Sequence, residues 1–251
     1  MSDHINTVSD VPCTSFWRRP EHKSKTDVGA LALTEGYKIS ALSRGKELRV
    51  DFSHIPDFSL CFMMGMGGNW GVGKNPDKHS HLVFGLQDGR VLYMEDVRRF
   101  ARWTWRPKSQ WDPNRGPDPV KEHEAFKRAV LSSLERKEFS KPIYEVLMNQ
   151  EYFNGIGNYL RAEILARIDA TPFQDARSYI KEHGDTLFAL CKRLPEEAYI
   201  LGGGQLRDWE NPFQIESHSF SEWLLCYNQL GTRQLKDKNG RTFWFLAKWV
   251  A

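Results

Sequence analysis

The hydrophobic pattern of this chain changes from a strand period to a helical one near its middle, and no other feature limits its possible folds as much. From Tyr37 to about Trp103, apolar residues recur at every second position: Tyr37, Ile39 and Ala41, then Leu48, Val50 and Phe52, then Leu82, Phe84 and Leu86. Successive side chains of a strand face opposite ways, so each run predicts a strand buried on one face. Ser43-Arg44-Gly45-Lys46 lies between the first two runs as a turn, and Asp88-Gly89 suits the positive φ angles of a two-residue hairpin turn, so the sheet is expected to be antiparallel. Residues 107–121, PKSQWDPNRGPDPVK, hold four prolines. Proline removes a backbone donor and fixes φ, so neither a helix nor a central strand should cross this stretch, and it is read as the linker between domains.

Beyond the linker the period becomes helical. Phe126, Val130, Leu131 and Leu134 form one stripe, Ile143, Leu147 and Met148 another, and Leu160, Ile164 and Leu165 a third. Residues 185–194 predict a further helix, and Leu201-Gly202-Gly203-Gly204 predicts a flexible loop. Near the end, Asn239-Gly240 separates strand-prone runs, which predicts a terminal hairpin at about 228–248 with Arg241 just past its tip. The expected class is α+β in two lobes. Residues 1–106 form an antiparallel β-sandwich-like lobe, 107–121 the linker, and 122–251 a mainly helical lobe that ends in the hairpin.

With 251 residues, 40% of them hydrophobic, the chain can build one large core or two small ones. No apolar run approaches the roughly 18 residues of a membrane span, and the polar start MSDHINTVSD does not read as a signal or transit peptide, so no membrane association is expected. A net charge of +3 allows an anionic partner without requiring one. Cys13, Cys61, Cys191 and Cys226 are scattered without a C-x-x-C pair, so no zinc is expected and the thiols are read as free, with Cys61 and Cys226 as small core residues. His79 and His81 fall on one face of a strand with no third ligand in view, which fits packing or a polar contact better than a metal.

The stretch at 149–167, NQEYFNGIGNYLRAEILAR, carries the densest chemical signal. One helix ends, Gly155 and Gly157 let the backbone approach a large ligand, and an amphipathic helix begins at Asn158. Its free N–H groups and dipole favour a phosphate, and the Asn158 side chain can cap the helix or donate to a ligand. On periodicity alone, an ordinary helix corner is the simpler reading.

This stretch closely resembles the helix-two-turn-helix element of the formamidopyrimidine-DNA glycosylase and endonuclease VIII family. SRGKELRV at 43–50, GMGGNW at 65–70, HSHLVF at 79–84, DVRRFARW at 96–103 and NGRTFWF at 239–245 are similar to further family blocks in family order. The cysteine pattern matches the branch in which a zincless hairpin replaces the zinc finger. The resemblance implies a monomeric, cofactor-free nuclear protein that clamps double-stranded DNA containing an oxidised base or an abasic site. Such a protein extracts the base, cuts its glycosidic bond and nicks the strand by elimination, with repair and replication proteins as further partners. By the same resemblance Met66, Arg98 and Phe100 fill the gap left by the everted base, and Lys46, Asn158 and Arg241 hold the backbone. Lys46 also assists the lyase steps, and Arg241 assists δ-elimination. Without the family, Met66 and Phe100 would read as core, Arg98, Arg99 and Arg102 as a solvated face, and Lys46 and Arg241 as exposed charges beside turns.

The chain departs from the family at its start. Family members attack through the amine of an N-terminal Pro followed by Glu, whereas this chain begins Met-Ser-Asp-His. VSDVPCTSFWRRPEH at 8–22 resembles the first strand region after the family's opening helix, so that helix is expected to be missing. Lys46 is then the family-matched amine near the site, and it would need a lowered pKa to act as nucleophile. Leu225 stands where relatives carry Arg, which weakens one phosphate contact. Two readings stand, a DNA glycosylase and abasic-site lyase or a catalytically inactive binder of damaged DNA. A ribosomal role, suggested by helix-two-turn-helix units elsewhere, does not fit the first-lobe blocks. The base pocket is expected to involve the loop at 201–212.

Overall fold

The first half forms eight strands: β1 (Cys13–Arg18), β2 (Ile39–Arg44), β3 (Glu47–Phe52), β4 (Phe58–Met63), β5 (Gly68–Gly73), β6 (Ser80–Leu86), β7 (Val91–Asp96) and β8 (Arg102–Pro107); burial alternates in β2, β3 and β7, whereas Ser80 to Phe84 of β6 are buried without a break. The strands pair antiparallel in two four-stranded sheets, ordered β1-β6-β7-β5 and β2-β3-β4-β8. The computed structural model describes residues 2–20, 22, 24–65, 68–203 and 220–249. The inward faces meet through large side chains. Phe52 of one sheet stacks on Phe84 of the other at 5.9 Å, and Trp70 meets Phe62 edge-on at 5.2 Å. Val50, Phe52, Leu60, Leu82, Phe84, Leu92 and Met94 are fully buried in this sandwich, each worth about 1.5–3 kcal/mol of transfer free energy.

Two local expectations change. Gly89 takes φ 83, but Asp88 does not adopt a positive φ, so this is not a two-residue turn with both central residues left-handed. Leu86 N donates to Arg90 O at 2.9 Å and Gly89 N to Leu86 O at 3.0 Å, a longer loop closed by one left-handed glycine. The chain also opens with a helix where none was expected, α1 (Ser2–Asn6). Ile5 and Val8 bury in the sandwich core, and the Asn6 side chain both accepts from Ala41 N at 2.8 Å and donates to Ala41 O at 3.0 Å, pinning the helix along β2. Five residues are too few to show a helical period in sequence.

The chain divides into two compact units, residues 1–113 and 114–251. The proline-rich stretch is fastened from both ends. Asp112 N donates to the buried Glu47 at 3.1 Å in the first unit, whereas Gly116 N donates to Gln150 O at 3.0 Å in the second. A Cβ on Gly116 would lie 2.3 Å from Glu151 O, so only glycine permits this approach.

The second unit contains α2 (His123–Ser132), α3 (Ile143–Val146), α4 (Asn158–Ala166), α5 (Ala176–Ile200), α6 (Phe220–Trp223) and a hairpin of β9 (Thr232–Lys236) and β10 (Thr242–Leu246). Its core joins Phe126, Phe153, Ile164, Tyr179, Leu187 and Phe243 in one cluster. α5 runs for 25 residues, far beyond the expected 185–194. Asp175 caps its start by accepting from Ser178 N at 3.0 Å, and the helix passes through Pro195. The local cost of that proline is outweighed by burial of Leu187, Leu190, Cys191, Leu194 and Ala198 along one side. α4 also differs from the amphipathic helix expected, because Leu160 to Leu165 are all buried.

Candidate nucleic-acid interface

Lys46 is exposed in the tight turn between β2 and β3, where Gly45 takes φ 55 and Arg44 pairs with Glu47. Arg44 and Arg49 lie over the Trp111 ring at 6.0 and 4.9 Å, and Ser43 Oγ accepts from Ser2 Oγ at 3.3 Å. The opening helix is thus anchored on the strand that leads into the Lys46 turn.

Arg98 and Phe100 stand on the loop between β7 and β8. Both are exposed, Phe100 at 45%, with the Arg98 guanidinium 4.7 Å from the Phe100 ring centroid. The core reading of Phe100 therefore fails: the strand ends at Asp96, and the alternation ends with it. Arg99 between them takes φ 57, a left-handed conformation that a non-glycine residue adopts only when its surroundings impose it. Gly65 abuts this loop. Its φ is 64, and a Cβ there would lie 3.1 Å from Phe100 Cβ. Gly65→Ala should cost about 1–3 kcal/mol in thermal unfolding, since it combines left-handed strain with a contact against Phe100. Met66 lies outside the described residues, as does the 201–212 loop from residue 204 onward.

In the second unit, α4 and the hairpin share one buried polar cluster. Gly157 is the N-cap of α4, so Asn158 does not cap the helix. Its Nδ2 donates to Thr242 O at 2.8 Å and its Oδ1 accepts from Arg161. An amide carries two N–H bonds, of which Thr242 accounts for one. Arg161, fully buried, also donates to Tyr144 O at 3.2 Å and Asp237 Oδ2 at 3.0 Å, and lies 4.8 Å from the Phe243 ring centroid. Asp237 Oδ1 accepts from Asn239 N and Arg241 N, both at 2.9 Å, which shapes the hairpin tip. Arg241 itself is exposed just past that tip.

Burial alone would raise the Asp237 pKa, but hydrogen bonds from Arg241 N, Arg161 and Asn239 N outweigh it and hold the carboxyl below its usual range. A carboxyl lowered on folding contributes stability that is present above its unfolded value of about 3.9 and is lost as pH falls through the folded value. Thermal unfolding of Asp237→Asn should therefore depend less on pH in this acid range than that of the unsubstituted chain.

Glu163 accepts from Leu225 N, Cys226 N and Tyr227 N at 2.9, 2.9 and 2.7 Å, and fixes the segment that holds Leu225, itself 54% exposed. Sequence reasoning missed Arg161, Glu163 and Asp237. The available signal was a charged residue inside the apolar stripe of α4.

The fold of this chain, a β-sandwich unit and a helical unit carrying a hairpin, matches solved MutM (Fpg) structures along nearly its whole length. The MutM protein of Thermus thermophilus matches with a TM-score of 0.75 and 25% identity over 98% of this chain and 97% of that one. Lactococcus lactis Fpg, solved with DNA containing an abasic site, matches with a TM-score of 0.79 at 20% identity over 99% and 97%. Residues 6–103 match the formamidopyrimidine-DNA glycosylase N-terminal domain, and 217–248 match the DNA-binding segment of endonuclease VIII-like 1. Formamidopyrimidine-DNA glycosylase of Stenotrophomonas maltophilia is 31% identical over 203 residues, 78% of this chain and 73% of that protein. The chain belongs to the formamidopyrimidine-DNA glycosylase family. It is also similar to mouse endonuclease 8-like 1, at 37% identity over 247 residues and 84% of this chain, and spans 62% of that relative's length.

Proposed function

We propose that this protein is a DNA glycosylase and abasic-site lyase of base-excision repair, acting in the nucleus as a monomer on oxidised bases in double-stranded DNA. The observation that carries the reading is the exposed Arg98–Phe100 pair on an imposed loop conformation, an aromatic surface with a cation set for a gap in the base stack. Met66 completes the filling set. Lys46 and Arg241 supply cations and Asn158 an amide for the backbone, positioning the duplex without reading its sequence. An amine attacks C1′, the glycosidic bond breaks with the base as leaving group, and the resulting imine acidifies the C2′ proton whose loss expels the 3′ phosphate. Arg241 then assists the second elimination. Repair and replication proteins are the further partners of this reading.

A silent clamp is the second reading. Borohydride added to the chain on a duplex with an abasic site separates the two. A trapped adduct is expected; retained binding with no adduct would establish the clamp instead. If Lys46→Ala still traps fully, Lys46 is not the nucleophile. Affinity should fall steeply with salt, and an affinity independent of ionic strength would contradict phosphate holding by Lys46, Asn158 and Arg241.

A further inference from the structure

The first unit buries a polar cluster that none of the roles above uses. Asp96 ends β7 with a fully buried side chain, and His22 and His81 are buried against it. His81 donates through Nε2 to the Asp96 backbone carbonyl at 3.0 Å. The proton on His22 is fixed by its neighbours. Ser24 N donates to His22 Nδ1 at 3.1 Å, so Nδ1 is the acceptor, and Nε2 carries the hydrogen and faces Asp96 Oδ2 at 3.3 Å. Burial works against protonating either imidazole, which keeps His22 a neutral donor. The ring is wedged between Trp103 at 4.2 Å and His81 at 4.6 Å, so it has little freedom to turn away.

What Asp96 holds is the loop that carries the exposed pair. The same Oδ2 accepts from Ala101 N at 2.7 Å, while Arg99 N donates to Asp96 O at 3.1 Å. Asp96 therefore grips the loop on both sides of Phe100, and the left-handed Arg99 lies inside that grip. Among the described residues the hydrogen bonds to the Asp96 carboxyl come from neutral donors, a costly way to stabilise a sandwich for which apolar packing would suffice. What the arrangement adds is direction. His22 Nε2 and Ala101 N meet on the same carboxyl oxygen, so the imidazole helps fix the oxygen to which Ala101 N donates.

On the reading of damaged-DNA recognition given above, we infer that His22 is a positioning residue: its hydrogen bond orients Asp96, which fixes the backbone that presents Arg98 and Phe100 to the gap in the base stack. His22→Leu removes the donor while keeping an apolar body against Trp103, and His22→Gln restores a donor. The measurement is affinity for a duplex with an abasic-site analogue against an undamaged duplex of the same sequence, together with fluorescence of 2-aminopurine placed opposite the analogue.

His22→Leu should lower the damaged-to-undamaged affinity ratio about tenfold, the loss of one hydrogen bond at the top of its usual worth, and should diminish the fluorescence change on binding. Binding to undamaged duplex should stay within about twofold, and His22→Gln should recover most of both signals. An unchanged ratio, an equal loss on both duplexes, or no recovery by Gln would overturn the inference. An unsubstituted chain that does not prefer the damaged duplex would overturn the underlying functional reading instead. Should His22→Leu fail to fold, His22→Phe carries the same test with a ring against Trp103.

Discussion

Replacing Arg161 by Met is expected to lower the stability of the second unit by about 3–5 kcal/mol, because it leaves the Asp237 carboxylate buried without its counter-charge. Both side chains are nearly inaccessible, at 0 and 3% exposure, and Arg161 bridges three partners: α4 through Asn158, the chain at Tyr144 and the hairpin through Asp237. Two strands of five residues are marginal by themselves, so a hairpin this short depends on what its tip and its inner face hold. Phe243 and Phe245 anchor the face, and the ion pair anchors the tip. Asp237→Asn retains a carbonyl that can accept from Asn239 N and Arg241 N but removes the charge. The double variant Arg161→Met with Asp237→Asn should therefore be more stable than Arg161→Met alone, a coupling that a double-mutant cycle in denaturant reads directly. A single-variant cost under about 1 kcal/mol would mean that Asp237 finds water or another partner.

Combined replacement of Arg98 and Phe100 by Ala is expected to reduce affinity for abasic-site DNA by about 10- to 100-fold, since stacking an aromatic ring on a base is worth about 1–3 kcal/mol. Affinity for undamaged duplex should change little, because an intact stack offers the ring no place to enter. Stability should also change little. The loop shape is set by Asp96, Arg99 and Gly65 and not by burial of the two side chains, which are exposed. Competition binding at one fixed ionic strength measures the ratio, and equal weakening on both duplexes would place Arg98 on phosphates rather than in the gap.

The switch from alternating to helical period was enough to read the sandwich and the helical unit from sequence, because each depends on which positions must face inward, and Asn239-Gly240 between strand-prone runs marked the terminal hairpin. Lys46 and Arg241 could likewise be located beside their turns, as Gly45 and Asn239-Gly240 mark them. Individual elements were less legible where long-range contacts overrode local preference. At five residues α1 is too short for a helical pattern to recur, and it exists through Asn6 on β2 and Ile5 in the core. α5 ignores Pro195 because the apolar face on either side of it is buried. Asn158 was rightly placed at the start of α4, and of the two uses open to it, capping or donating, the structure excludes the cap: Gly157 holds that position, and the Asn158 amide oxygen accepts from Arg161 while its Nδ2 donates to Thr242, 84 positions away.

Residue order along the chain determined the class of each half, the boundary region near the prolines and the family to which the blocks belong. Those properties follow from periodicity, backbone restriction and local motif, all of which act between near neighbours. Only the tertiary structure decided that Phe100 faces outward, that Arg161 joins the helix to the hairpin, and that Asp96 lies between His22 and the Ala101 amide. A buried polar group is defined by partners that can lie anywhere in sequence, and its worth depends on a low-dielectric surrounding that exists only once the chain has folded.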